Sequence, residues 1–141
     1  MEEEKEYFSF HNWPGLCLKH SEQGYVELEI PALKGYLNRG GRLHGGFLYT
    51  LADMTAGTAV MSYGHRTTTV SGSMDYLRPG IGVETLHSRG RVVKHGSTLS
   101  VVEVEILDQN ETLIATAHMT FFNFSEPIQG TLEDRFVPIA D

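Results

Sequence analysis

The sequence predicts an α+β domain in which one long helix is enclosed by an antiparallel sheet, and three observations carry that prediction. Residues 46–61 place apolar side chains at helical spacing on nearly every face. Everything after Gly64 reads as β-rich runs broken by turn residues. No second helical segment separates those runs, as the βαβ alternation of a parallel sheet would require.

The elements follow in chain order. Tyr25 to Ile30 alternates, with Val26, Leu28 and Ile30 on one face and Glu27 and Glu29 on the other, the period of a half-buried strand that Pro31 ends. A loop containing Gly35, Gly40 and Gly41 leads to the helix over 46–61, where Leu48, Leu51, Ala52, Thr55, Ala56 and Ala59 recur three and four apart. Its small residues predict close approach of neighbouring backbones. Strands are expected from Thr68 to Leu77, Val83 to Lys94, Thr98 to Leu107 and Thr112 to Phe122, the last two joined by Asp108-Gln109-Asn110-Glu111, and together they predict an antiparallel meander.

One domain spans residues 1–141, with its core over about 16–124. The opening Met1-Glu2-Glu3-Glu4-Lys5-Glu6 is expected to be solvated and frayed, and the tail from Ser125 to Asp141, with Pro127 and Pro138, loosely packed or partly disordered. Eleven basic residues against eighteen acidic ones leave a net charge of −7, which argues against nucleic acid and anionic lipid as partners. Cys17 is the only cysteine, so an intrachain disulfide and a thiolate zinc site are both excluded. There is neither a signal-peptide pattern nor an apolar run of membrane-spanning length, and the expectation is a cytoplasmic protein without membrane attachment.

Asp53 stands out because it is the one acidic or basic residue, histidines aside, between Arg42 and His65, on a helix that is otherwise apolar. Burying an unpaired carboxylate costs several kcal/mol, so its presence needs a reason. Either it occupies a narrow solvent-facing stripe or makes a structural hydrogen bond, or it does chemistry. Upstream, His44-Gly45-Gly46 marks the helix start, where free N–H groups and the positive dipole end can hold a developing oxyanion and no side chain blocks a substrate carbonyl. The same dipeptide also simply makes turns. Asn38 and His44 bracket the loop as further hydrogen-bond donors, although a lone Asn also forms turns and a lone His is also structural.

Their joint spacing, Asn38-x5-His44-Gly45-Gly46-x6-Asp53, resembles the signature of hotdog-fold thioesterases of the phenylacetate-degradation (PaaI-like) type. Val70-Ser71-Gly72-Ser73-Met74-Asp75-Tyr76-Leu77-Arg78-Pro79 resembles the strand that follows the helix in that family, and about residues 24–123 are covered. The resemblance implies a curved sheet wrapped round the central helix, a homodimer and beyond it a dimer of dimers, and acyl-CoA sites at the dimer interface. It implies Asp53 as general base or nucleophile, Gly45 as oxyanion amide, Asn38 and His44 as positioning groups, and Ser71 as a residue assisting the carboxylate from the facing strand. Ser71 also reads as an ordinary small strand residue.

Arg78, Arg89, Arg91, Lys94 and His95 make one stretch locally basic, suited to CoA phosphates or equally to solvated strand faces. Gly46, Arg78, Lys94, His95, Gly96 and Ser97 are the expected substrate and CoA contacts; many relatives carry a basic residue where Ser97 stands. No metal site and no cofactor is expected, coenzyme A being part of the substrate. The chain has no G-x-S-x-G, no H-E-x-x-H and no i,i+4 histidine pair, which argues against serine and metal hydrolysis. The competing functions are a hotdog hydratase/dehydratase, whose His-based motifs are absent here, and a non-catalytic acyl-CoA-binding protein. The acyl group is read as a small aromatic or a short or medium aliphatic chain, with Tyr49, Met54, Met61, Phe121 and Phe122 as pocket candidates.

Overall fold

In the computed structural model, residues 13–136 are described. The acidic Met1–Glu6 segment lies outside them, as do residues 137–141 of the tail. The order is β1 (Cys17–Glu22), β2 (Tyr25–Pro31), α1 (Gly45–Met61), β3 (His65–Tyr76), β4 (Thr85–His95), β5 (Leu99–Leu107) and β6 (Leu113–Pro127). Short 3-10 turns cover Lys34–Tyr36 and Glu133–Phe136. This is the predicted α+β class: among the described residues, one six-stranded antiparallel sheet is curled about a single long helix.

The inner face of the sheet is built by alternation. Val26, Leu28 and Ile30 of β2, Leu86 of β4, Val102, Val104 and Ile106 of β5, and Ala115, Ala117, Met119 and Phe121 of β6 all bury against α1. Leu51, Ala52, Ala56 and Ala59 meet them from the helix, each with no exposure. Burying each of the larger side chains contributes about 1.5–3 kcal/mol. Gly90 of β4 lies so close to the helix that a Cβ there would stand 3.2 Å from the Thr55 carbonyl oxygen, the close approach that small residues predict. Bulges that leave Val70 and Val93 unpaired add local twist and let the strands bend round the helix.

Three features depart from the sequence expectation. A first strand, Cys17–Glu22, precedes the predicted ones; its polar sequence hides it because it pairs only with β2, at an edge of the sheet. The sheet order is β1-β2-β4-β5-β6-β3, so only β4, β5 and β6 form a meander, while β3 crosses to the far edge beside β6. The tail is also corrected in part: β6 runs on to Pro127, and Phe136 buries its ring in the main core. Among the described residues no helix is long and apolar enough to cross a membrane.

Candidate active site

The helix begins without a side-chain cap. His44 is the N-cap, extended at φ −61° and ψ 134°, its side chain makes no capping bond, and the first turn holds no acidic residue. The first intrahelical bond runs from the Leu48 N–H to the His44 carbonyl, so the amides of Gly45, Gly46 and Phe47 precede the ladder. The His44 N–H donates to the Tyr36 carbonyl at 2.8 Å, and Tyr36 stacks on Phe47 with ring centroids 4.1 Å apart, which anchors this end. Beyond Gly46 a Cβ would meet nothing within 4 Å, so its approach is open as expected; at Gly45 a Cβ would meet the Tyr76 ring at 3.2 Å.

Asn38 stands in the same loop with its side-chain oxygen turned inward. Oδ1 accepts from the Gly40 N–H at 2.9 Å and the Arg42 N–H at 3.2 Å, and a bridge between Leu37 and Leu43 closes the loop. One end of the amide therefore builds the turn. Arg78 follows β3 into this neighbourhood, since the Leu43 N–H donates to the carbonyl of Gly80 and a Cβ on Gly80 would collide with Leu43 at 2.9 Å.

Asp53 sits two turns further along α1, half-buried on the only stripe of the helix that stays partly open: Gly45, Gly46, Tyr49, Thr50 and Asp53. That stripe runs beside β3, the sheet edge. Thr69 Oγ1 donates to Asp53 Oδ1 at 2.6 Å, which leaves Oδ2 for other partners. Thr69 was not singled out by the sequence, and Ser71 does not take the expected place within the chain. The Val70 bulge explains both: Thr69 pairs with inward-facing Phe121, whereas Ser71 pairs with outward-facing Thr120. Gly72 faces inward again, where a Cβ would stand 2.5 Å from the Tyr49 hydroxyl.

The remaining predicted contacts lie elsewhere. His95 stacks on Tyr63, just past the C-terminal end of α1, at 3.8 Å, and its Nδ1 shares a 2.8 Å hydrogen bond with Ser100. The Asn123 amide donates to the Gly96 carbonyl at 2.7 Å, so this network shapes the β4–β5 turn that also carries Ser97. Lys94 pairs with Val101 on the outer face. The locally basic stretch is thus dispersed. Arg89 engages Glu27 and Glu111 and Arg91 covers the Tyr25 ring; Arg89, Arg91 and Tyr25 line an outer-face depression of about 460 Å³ on the side of the sheet away from Asp53. Arg78 lies near one end of α1 and Lys94 near the other.

Chemically, α1 offers a bank of free amides at one end and a carboxylate part-way along it. Eight residues of helix separate Gly45 from Asp53, about 12 Å of rise, too far for both to touch one carbonyl group in a single chain. Beside them, among the described residues β3 has no strand on its outer edge, and Val70 and Tyr76 of β3, with Leu77 just after it, are exposed by 56%, 51% and 53%.

Residues 40–115 match the family described as the thioesterase superfamily. The chain is 28% identical to the acyl-coenzyme A thioesterase PaaI of Escherichia coli K12 over 118 residues, 84% of this chain and 81% of that protein. It is also similar to the crystal structure of a Streptococcus mutans UA159 protein bound to acetyl CoA, with a TM-score of 0.79 and 30% identity, covering 88% of this chain and 98% of that one. A hypothetical thioesterase from Streptococcus pneumoniae TIGR4, solved with coenzyme A, superimposes with a TM-score of 0.80 at 28% identity, covering 85% and 94%.

Proposed function

Because the chain belongs to the thioesterase superfamily, as a PaaI-like hotdog protein, we propose that it hydrolyses acyl-CoA thioesters at a site shared between two copies, with Asp53 as the catalytic carboxylate. The observation that carries this reading is the open stripe of α1, where a carboxylate held by Thr69 stands beside a sheet edge that no other described strand pairs with. A second copy pairing across β3 would run its helix antiparallel to the first and bring its free amides towards Asp53. The relatives' acetyl CoA and coenzyme A complexes support the ligand class.

In the reaction, the thioester carbonyl lies against the Gly45 and Gly46 amides, while Asn38 and His44 line its approach. Asp53 delivers the attack, either by taking a proton from water or by adding directly to form an acyl anhydride that water then opens. Both routes break the C–S bond, leave the acid, and return a proton to the CoA thiolate. Turnover in ¹⁸O-water gives one diagnostic outcome: label in the Asp53 carboxylate marks an anhydride opened at the Asp53 carbonyl carbon, whereas activated water, or opening at the acyl carbon, labels only the released acid. Arg78 of one copy and Lys94 of the other are the proposed phosphate contacts, and the acyl group is a small aromatic or a short to medium aliphatic chain.

Free-thiol release from a panel of acyl-CoAs tests the activity; release from none of them would end the assignment. The shared site has its own test. Asp53→Ala and His44→Ala chains, each impaired and each still dimeric, are mixed and allowed to exchange subunits. Half the dimers then carry one intact site of two, restoring roughly a quarter of wild-type sites. If each site were built from one chain, mixing would recover nothing.

A further inference from the structure

Tyr76 closes β3, and its hydroxyl donates to the carbonyl of Gly45 at 2.8 Å. That carbonyl belongs to the first peptide of α1, and the N–H on the same peptide is that of Gly46. The Tyr76 ring covers Gly45, where a Cβ would come within 3.2 Å of it, whereas the Gly46 side is clear to 4 Å. One side of the turn is gripped and the other is open. A hydrogen bond accepted by a peptide oxygen draws electron density towards it and makes the N–H of that peptide a stronger donor. Given an uncapped His44, a tether from the strand also fixes the direction in which the first turn points.

Resting on the thioesterase reading above, we infer that Tyr76 is the positioning residue of the oxyanion site: through the Gly45 carbonyl it orients the first turn of α1 and strengthens the Gly46 N–H as a donor to the thioester oxygen, alongside the Gly45 N–H. The arrangement suits the role. A tyrosine hydroxyl is a protonated donor at neutral pH, and partial burial of this one, followed by the neighbouring Tyr49, raises its pKa further above the ordinary value. Charge on the thioester oxygen grows towards the transition state, so a donor tuned in this way acts on kcat more than on substrate binding.

Tyr76→Phe keeps the ring against Gly45 and removes only the hydroxyl. The expected result is a fall in kcat of about three- to tenfold, the worth of one hydrogen bond, with KM and melting temperature nearly unchanged. In ¹⁵N-labelled protein without substrate, the Gly46 amide resonance should move between wild type and variant by more than those of the later turns of α1. Turnover within about twofold of wild type, or KM and melting temperature shifting together with kcat, would overturn the proposal. Should the wild-type protein release thiol from no acyl-CoA, the hydrolase reading fails by itself. The resonance then decides the tether: movement retains it, and an unmoved Gly46 amide removes it.

Discussion

Two hydroxyl hydrogen bonds leave α1 in opposite directions, and they do different work. On the β4 side, Thr55 and Ser88 share a 2.7 Å bond with neither residue exposed, and Thr55 also donates to the Leu51 carbonyl. Every group there is satisfied by the protein, so the pair contributes to stability and to the fit of helix on sheet. On the β3 side, Thr69 donates to an Asp53 that is only half-buried, beside a strand with no outer neighbour among the described residues. A carboxylate with one oxygen held and the other available is organised for a ligand. Similar hydrogen-bond lengths therefore mark a buried structural flank and a half-open one, the flank proposed to carry the chemistry, and burial distinguishes them.

The sharpest way to break that contrast is Asp53→Asn. It should reduce kcat by on the order of 10²-fold or more while the melting temperature holds, because the stripe tolerates an amide of the same shape. Thiol-release kinetics and thermal unfolding together check it, and an Asn variant retaining most of its turnover would remove Asp53 from the chemistry.

A paired substitution then separates the two flanks. Thr69→Val should cost roughly tenfold in kcat through the lost bond to a charged group, with little loss of stability. Thr55→Val should do the reverse: about 1–3 kcal/mol of stability lost, because the Ser88 hydroxyl is left buried without its partner, and kcat unaltered. Equal effects of both variants on both measurements would erase the distinction.

The smallest effect is expected furthest from Asp53. Arg78→Ala and Lys94→Ala should each raise KM for a CoA thioester by about two- to fivefold, the range of exposed ionic contacts, with kcat preserved. A pantetheine thioester, which lacks the nucleotide, should show no such change. Equal losses with both substrates would sink the phosphate assignment.

Some of this was legible in the residue order. Helix α1 could be read because its periodicity is local, and Asp53 was conspicuous because a charge on an apolar helix always is. The His44-Gly45-Gly46 start was legible for the same reason, since a helix terminus is defined within a few residues of chain. β2 and β5 followed from their alternation, and β3, β4 and β6 from β-rich runs bounded by turn residues. Strand β1 did not, because an edge strand paired on one side needs no regular apolar pattern.

What only the tertiary structure decided is which side chains face one another. Alternation predicts that a strand has two faces, but hydrogen-bond register with its neighbour sets which residue lies on which face, and one extra residue reverses the assignment. At Val70 that reversal turned Thr69 to Asp53 and Ser71 away. Register and crossover likewise sent Arg78 and Lys94 to opposite ends of α1, scattered a basic stretch that looks continuous in the chain, and brought Phe136 back into the core. Spacing along a helix is fixed by its covalent geometry and belongs to the sequence; contact across a curved sheet depends on pairing between distant segments, and exists only once they have folded together.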